Sequence, residues 1–149
     1  MAKALAIVIL AFIGVFVIDQ NIKTLFIDGF RWYGDYFSLI LTYNKGVAFS
    51  MFAFLEENLK YIQAGLLAFI MFYLLVEKKL LMQYSLAIGI ILGAGCSNLY
   101  DRFLYGGVVD YFYWHRWFDF AVFNFADVMI NFGVVIILYI TLKSKKTLV

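Results

Sequence analysis

Four long apolar stretches restrict what this chain can fold into more than any other feature. They cover about residues 4–20, 58–76, 80–98 and 124–142. Each has roughly 17–20 residues, which at ~1.5 Å per residue is just enough to cross a hydrocarbon layer ~30 Å thick. Hydrophobic residues make up 65% of the chain and charged residues only 15%, which excludes an ordinary soluble domain. We predict an all-α membrane protein with four transmembrane helices, forming one integral-membrane domain over residues 1–149.

The first stretch also has the length of a secretory signal peptide. However, no Ala-x-Ala-like cleavage site follows it, and the polar sequence Asp19-Gln20-Asn21 closes it directly. We therefore predict that it is retained as the first transmembrane helix.

Clustered lysines predict how the chain is oriented. They lie in the N-terminal segment, in the short link between the second and third stretches, and in the C-terminal segment: Lys3, Lys78, Lys79, Lys143, Lys145 and Lys146. Short basic segments stay in the cytoplasm. Both termini should therefore be cytoplasmic. The two longer connections, about residues 21–57 and 99–123, should face the outer side, which is the periplasm for a multi-pass protein of the bacterial inner membrane.

The two outer connections differ in composition. Residues 30–33 and 36–43 are rich in aromatic and β-branched residues and flank the turn-prone pair Gly34-Asp35. They predict a small strand pair at the membrane surface, between the first and second helices, followed by a short interfacial helix over residues 47–55. In the second connection, residues 111–120 are strongly aromatic. We expect most of these rings to form a belt in the headgroup region, and this loop to act as a lid over the site described next.

Asp110 and Asp127 stand in apolar surroundings, where a carboxylate costs at least a few kcal/mol and marks a functional site by default. Other polar residues form stripes at the outer ends of three predicted helices. Each stripe has helical spacing, and together they comprise Asp19, Lys23, Asn98, Asp101, Arg102, Asn124, Asp127 and Asn131. Because polar groups facing lipid are expensive, the stripes should turn inward and meet, with Asp110 folding back over them.

Each stripe also has a purely structural explanation. Asp19 and Lys23 could be a helix-end ion pair. The polar residues of the third predicted helix, Asn98, Asp101 and Arg102, could cap that helix and bind phosphate headgroups. Asn124 could be an N-cap, which would leave Asp127 as an acid favoured by the helix dipole. These explanations do not account for three helices being polar at one depth.

Other chemistries lack their residues. His115 is the single histidine, lies among aromatic residues, and is expected to contact headgroups. Cys96 is the single cysteine, in an apolar stretch without a neighbouring base, so no disulfide framework or cysteine-rich metal site is expected. The sequence has no His-Glu-x-x-His, no Gly-x-Ser-x-Gly and no phosphate-binding loop. The net charge of +2 gives no support for nucleic-acid binding. The carboxylates remain as the credible catalytic groups.

The polar residues also resemble a known family, the lipoprotein signal peptidases, which are the type II signal peptidases of bacteria. The resemblance spans nearly the whole chain and rests on five motifs in order: Asp19-Gln20-x-x-Lys23, Asn44-x-Gly46-x-Ala48-Phe49-Ser50, Gly93-Ala94-Gly95-Cys96-Ser97-Asn98-Leu99-Tyr100-Asp101-Arg102, Val108-Val109-Asp110-Tyr111 and Phe123-Asn124-x-Ala126-Asp127.

This resemblance implies an aspartic-type membrane endopeptidase that cleaves prolipoproteins just before a diacylglyceryl-modified cysteine. It implies Asp110 and Asp127 as the catalytic pair. It further implies a set of residues that line or support the site: Asp19, Lys23, Asn44, Gly46, Asn98, Arg102 and Asn124. The expected partners are the lipidated precursor and membrane lipid, with a monomeric protein and with no nucleic acid, metal or organic cofactor.

The chain departs from the family pattern at two positions. Ser97 stands where the family usually has Gly, and Ala121 stands where it usually has Pro. We expect Ser97 to shift helix packing slightly and Ala121 to loosen the loop that enters the fourth helix.

Two other functions remain open from the residues alone. One is a proton-coupled transporter, although no internal repeat is present, and the other is a non-enzymatic membrane scaffold.

Overall fold

The computed structural model describes residues 1–46 and 58–146, with side chains through residue 144. In chain order the elements are α1 (Ala2–Ile27), β1 (Trp32–Tyr33), β2 (Phe37–Asn44), α2 (Asn58–Val76), α3 (Lys78–Gln83), α4 (Ser85–Tyr105), β3 (Val108–Trp114) and α5 (Phe125–Lys146). The interfacial helix predicted over residues 47–55 lies outside the described residues.

Three helices in the described ranges are long and apolar enough to cross a membrane, namely α1, α2 and α5. The protein is therefore a mostly helical membrane protein. The prediction for α2 is confirmed over the described residues 58–76, and α1 continues seven residues beyond the predicted end at 20. Lys23 lies in this extension and is buried against α4.

The boundaries predicted for the third transmembrane helix, about residues 80–98, were wrong. Residues 80–83 belong to the short helix α3, and α4 begins at Ser85 and continues to Tyr105. Between them Tyr84 leaves the helical conformation (φ −115°, ψ 22°), and its hydroxyl lies 2.9 Å from the Thr141 hydroxyl on α5. Polar residues in the second half of α4 lower its hydropathy, so it is not among the three candidate spans.

α4 is the central helix and packs against α1, α2 and α5. Gly89 and Gly93 allow its close approach to α1. A Cβ at Gly89 would lie 2.5 Å from the Val8 carbonyl oxygen, and one at Gly93 would lie 2.6 Å from that of Phe12. The close packing predicted for this Gly-x-x-x-Gly pair is confirmed. This packing holds α1 and α4 close together at Val8 and Phe12 of α1.

The outer sheet has three antiparallel strands in the order β1-β2-β3. The predicted strand pair is confirmed as β1 and β2. The prediction that the sheet lies only between the first two helices was wrong, because β3 comes from the second outer connection. Its residues 111–114 are part of a strand, not of an aromatic loop. The pairing of Thr42 with Asp110 places Asp110 opposite the end of β2, with a register irregularity after Leu39.

Candidate active site

Asp110 is a strand residue whose side chain is turned into the protein. It is 1% exposed, and both carboxylate oxygens accept hydrogen bonds from amides. Oδ1 accepts from Asn124 Nδ2 at 2.7 Å, and Oδ2 accepts from Asn44 Nδ2 at 3.0 Å. Burial, followed by the nearby Asp127 carboxylate, raises the pKa of Asp110 to about 7, while the hydrogen bond from Asn44 opposes the rise. Asp110 can therefore hold a proton near neutral pH.

Asp127 lies in the first turn of α5, half-buried. Its Oδ1 accepts from Asn98 Nδ2 at 2.9 Å, and its Oδ2 accepts from the backbone N–H of Asn124 at 3.1 Å. In return, Asn124 Oδ1 accepts the N–H of Asp127 at 2.9 Å, which completes a capping box. The N-cap explanation for Asn124 is thus correct, but the same side chain also donates to Asp110. Asn124 connects the two carboxylates.

Three asparagine amides point their NH₂ groups toward the carboxylates, and each is held that way by a donor on its other side. The Asn98 oxygen accepts from Lys23 Nζ at 2.8 Å, and the Asn124 oxygen accepts from the Asp127 N–H. The Asn44 oxygen accepts a backbone N–H two residues later at 3.0 Å. An ammonium or a backbone N–H cannot accept a hydrogen bond, so flipping any of these amides would place its NH₂ group opposite another donor. The amides therefore offer the carboxylates donors only.

A buried ion cluster lies directly behind the asparagines. Lys23 is fully buried, and its Nζ lies 2.6 Å from carboxylate oxygens of both Asp19 and Asp101, which are also fully buried. Its third contact is the oxygen of Asn98. The inward meeting of the polar stripes is confirmed for these residues. Because every ammonium proton has an acceptor, Lys23 holds the ends of α1 and α4 in one arrangement.

Two neutral side chains complete the cluster. Gln20 Nε2 donates to Asp101 Oδ1 and to the Ser97 hydroxyl, both at 2.8 Å. The Ser97 hydroxyl in turn donates to Asp19 Oδ2 at 2.7 Å. The extra atoms of Ser97, expected to shift packing, are therefore accommodated as part of the hydrogen-bond network.

The N-terminus of α5 is tied to the same cluster. A helix leaves its first four N–H groups without helical partners, and here all four are satisfied. The N-cap Asn124 donates to Asp127 Oδ2 at 3.1 Å, and Phe125 donates to the Tyr111 hydroxyl at 3.0 Å. Ala126 donates to Asp19 Oδ1 at 2.9 Å, and Asp127 donates to Asn124 Oδ1 at 2.9 Å. These contacts fix where α5 begins, and thus where its first-turn carboxylate lies.

Arg102 is buried beside the carboxylates. It donates through Nη1 to Gln63 Oε1 at 2.7 Å and through Nη2 to the carbonyl oxygen of Gly46. Its Nε has no partner among the described residues. Gln63 also donates to the Gly95 carbonyl at 3.0 Å, which joins α2 to α4. Arg102 therefore links the segment after β2 with α2 and α4 around one space.

That space is a cavity of about 650 Å³ between α2 and α5, and both carboxylates line it. Most of its surface is apolar. Its lining residues are Asn44, Leu59, Ile62, Gln63, Leu66, Asn98, Arg102, Val108, Asp110, Phe120, Ala121, Val122, Phe123, Asp127, Val128, Ile130 and Asn131. An apolar cavity with a few convergent polar groups is the usual form of a binding site.

The residues named from the sequence as catalytic or site-lining all lie at this site, and one expectation needs correction. Asn131 is exposed and donates to the carbonyl of Asp127 on its own helix, so it does not join the cluster. Asp101 is buried against Lys23, which agrees with the predicted meeting of the stripes and not with the alternative of a headgroup contact. His115 lies 2.9 Å from the Ser38 hydroxyl, and its headgroup contact stays a prediction.

Sequence reasoning missed the roles of several neighbours: Gln20, Gln63, Ser97 and Tyr111. Their polar character was visible, but their partners at the site lie 14 to 81 positions away. Among residues 1–46 and 58–146, no group of three or more His, Cys, Asp or Glu side chains is arranged to hold a metal ion.

Comparison with known proteins adds an independent observation. Residues 11–143 match the family model described as signal peptidase (SPase) II. A lipoprotein signal peptidase of Sulfurimonas denitrificans is 58% identical over 143 residues, covering 96% of this chain and 92% of the relative. One from Campylobacter jejuni is 52% identical over 136 residues, covering 91% of this chain and 87% of the relative.

Solved structures show the same fold. A bacterial membrane enzyme determined by the in meso method at 2.3 Å resolution superposes with a TM-score of 0.78, covering 94% of this chain and 90% of that chain at 22% identity. A second such structure, at 1.9 Å resolution, gives a TM-score of 0.72.

Proposed function

The chain belongs to the signal peptidase II family, and on that premise we propose that Asp110 and Asp127 are the catalytic pair with which it cleaves its substrate. The protein is a membrane protease that removes signal peptides from prolipoproteins. The observation that carries the proposal is that both carboxylates line one cavity and are connected through Asn124.

The two carboxyls have different surroundings, which suits them to different roles. We assign the proton at the start of the reaction to Asp110, because burial and the nearby Asp127 carboxylate raise its pKa to about 7. We assign the ionised form to Asp127, which accepts hydrogen bonds from an amide and from a backbone N–H at a helix N-terminus. Asp127 takes a proton from water while the water oxygen attacks the scissile carbonyl carbon, and Asp110 gives its proton to the carbonyl oxygen.

The tetrahedral intermediate then collapses. Asp110 takes back a proton from a hydroxyl of the intermediate, the C–N bond breaks, and Asp127 gives its proton to the leaving amine. Both carboxyls return to their starting states, so one water is consumed and no covalent enzyme intermediate forms. The asparagine amides keep the carboxylates in place throughout, since each can only donate.

The apolar cavity favours a lipid-bearing substrate. Leu59, Ile62 and Leu66 of α2 line it opposite Val128 and Ile130 of α5. We propose that cleavage occurs just before a diacylglyceryl-modified cysteine, whose acyl chains stay in the bilayer beside this lining. Burying acyl chains contributes ~0.8 kcal/mol per CH₂, so the lipid holds the scissile bond at the depth of the carboxylates.

Purified protein in detergent, incubated with matched lipidated and unlipidated precursor peptides, tests this function. We expect a single cut before the lipidated cysteine and far weaker cleavage of the unlipidated peptide. Equal cleavage of the two peptides would refute lipid-dependent positioning. The assay contains no ion gradient, so cleavage also distinguishes a protease from a transporter or a scaffold.

For the membrane arrangement, we propose that α4 crosses the bilayer as a fourth span, surrounded by the three apolar helices. We further propose that the protein is a monomer of the bacterial inner membrane with both termini in the cytoplasm and the sheet on the periplasmic side. In a Cys96→Ala background, Lys3→Cys should resist a membrane-impermeant thiol reagent in intact cells, and Asp35→Cys should react. The reverse labelling pattern would overturn this orientation.

A further inference from the structure

A second cavity of about 500 Å³ opens on the other side of Asp110. It shares Asn44, Asp110 and residues 120–122 with the first cavity, so the two spaces meet at Asp110. The second cavity is bounded by the end of β2 and the two residues after it, Thr42 to Gly46, and by residues 119–122. None of its described lining residues belongs to α1, α2 or α5.

The two cavities differ in chemistry as well as in place. Apolar side chains of two membrane helices line most of the first cavity. Residues of the sheet and of the loop after β3 line the second, and polar groups form a larger share of its surface than of the first cavity's, although most of that surface is apolar too. Among its lining residues are Thr42, Lys45 and Asp119. Lys45 and Asp119 are exposed, and neither forms an ion pair with a described residue. The Asp119 carboxylate accepts a hydrogen bond from the Tyr113 hydroxyl at 2.7 Å, which orients it.

A polypeptide whose scissile bond reaches Asp110 must continue on both sides of it. The segment before the cut is the apolar signal sequence, whose character matches the mostly apolar lining of the first cavity. The segment after the cysteine belongs to the exported part of the protein and must leave toward water. The second cavity begins at Asp110 and leads away from the membrane helices. Its volume lies within the range of ~300–1,000 Å³ common for binding sites, enough for a short run of residues.

We propose that the second cavity is the subsite for the first residues after the lipidated cysteine, and that Lys45 and Asp119 select among substrates by the charge of those residues. This inference rests on the proposed function. Lys45 favours an acidic side chain in this segment, and Asp119 favours a basic one. Because both charges are exposed and screened by solvent, each contributes a modest preference, about three- to five-fold in rate.

The test uses three lipidated peptides that are identical through the cysteine and carry acidic, basic or neutral residues at the next two positions. The kcat/KM of each is measured with the purified wild type, Lys45→Glu and Asp119→Lys. The acidic-to-basic ratio of kcat/KM should fall about five-fold or more in Lys45→Glu and rise by a similar factor in Asp119→Lys. Asp35→Lys, an equivalent charge reversal on the turn between β1 and β2, should keep the wild-type ratio.

A fourth lipidated peptide that ends at the cysteine amide tests the subsite without charge. The wild type should show a higher KM for it than for the neutral extended peptide, because it cannot fill the second cavity. If both variants keep the wild-type ratio and the short peptide has an unchanged KM, the subsite is refuted while the protease assignment stands. If the wild type cleaves no lipidated peptide, the proposed function fails, and the subsite fails with it.

Discussion

Replacing Lys23 by methionine should destabilise the protein more than any exposed lysine substitution. The lysine ammonium contacts two fully buried carboxylates, Asp19 and Asp101, at 2.6 Å each, and the oxygen of Asn98 at 2.8 Å. Methionine fills a similar volume but removes the cation. It leaves two buried carboxylates that keep only their neutral donors. Removing one partner of a buried ion pair costs about 3–5 kcal/mol, because the remaining charge is uncompensated.

The assay is thermal unfolding of the purified protein in detergent. At roughly 2–4 °C per kcal/mol for a chain of this size, the expected fall in Tm for Lys23→Met is roughly 6–20 °C. Lys3→Met, an exposed control on the same helix, should lie within about 0.5 kcal/mol of the wild type. Activity should also fall, because the Asn98 oxygen loses the shorter of the two hydrogen bonds that keep its NH₂ group facing Asp127 and retains only the one from Asn124 Nδ2 at 3.1 Å.

A double variant decides whether charge is the cause. If the cost of Lys23→Met comes from uncompensated carboxylates, then Lys23→Met with Asp101→Asn should be more stable than Lys23→Met alone, because one buried negative charge is gone. The reasoning is refuted if Lys23→Met melts like the wild type. It is also refuted if the second substitution simply adds its own loss, as independent sites do.

Three further outcomes are expected. The pH profile of kcat/KM should be bell-shaped with its alkaline limb near pH 7, since Asp110 must hold a proton. Asn44→Ala should move that limb to higher pH, because the Asn44 hydrogen bond lowers the pKa of Asp110. A wild-type rate that rises monotonically with pH would contradict a proton shared by the two carboxyls. Tyr111→Phe should lower the free energy of unfolding by about 1–3 kcal/mol, because the N–H of Phe125 loses its acceptor; an unchanged Tm would show that water replaces the hydroxyl. Ser97→Gly should lower it by a similar ~1–3 kcal/mol while cleavage continues, and a loss of cleavage would instead place Ser97 in the chemistry.

The sequence was sufficient for the features that depend on local composition. Apolar stretches located α1, α2 and α5, and the turn-prone pair Gly34-Asp35 located the junction between β1 and β2. The cost of polar groups in lipid predicted that three helix ends would meet. Asp19 of α1 bears this out, because it accepts hydrogen bonds from Ser97 of α4 and from the N–H of Ala126 of α5. These predictions needed only local composition, helical spacing and the cost of polar groups in lipid.

The predictions that were wrong concern contacts between segments distant in sequence. The aromatic run of β3 also suits a headgroup belt and therefore predicts a loop, and only its pairing with β2 shows that it is a strand. The break at Tyr84 depends on a contact with α5 and has no Gly or Pro to signal it. Asp101 could not be distinguished from a helix-end acid until α1 was placed beside it.

Replacing each candidate catalytic carboxyl separately is the most direct test of the central claim, that Asp110 and Asp127 together carry out the cleavage. Cleavage of a lipidated precursor peptide is measured for Asp110→Asn, Asp127→Asn and the exposed control Asp35→Asn, after each variant is shown to be folded in detergent. Asparagine is nearly isosteric with aspartate but cannot exchange a proton. Both dyad variants should lose cleavage, and the control should keep it. A folded dyad variant with more than about a tenth of wild-type turnover, an effect below ~1.4 kcal/mol, would contradict the two-carboxylate mechanism.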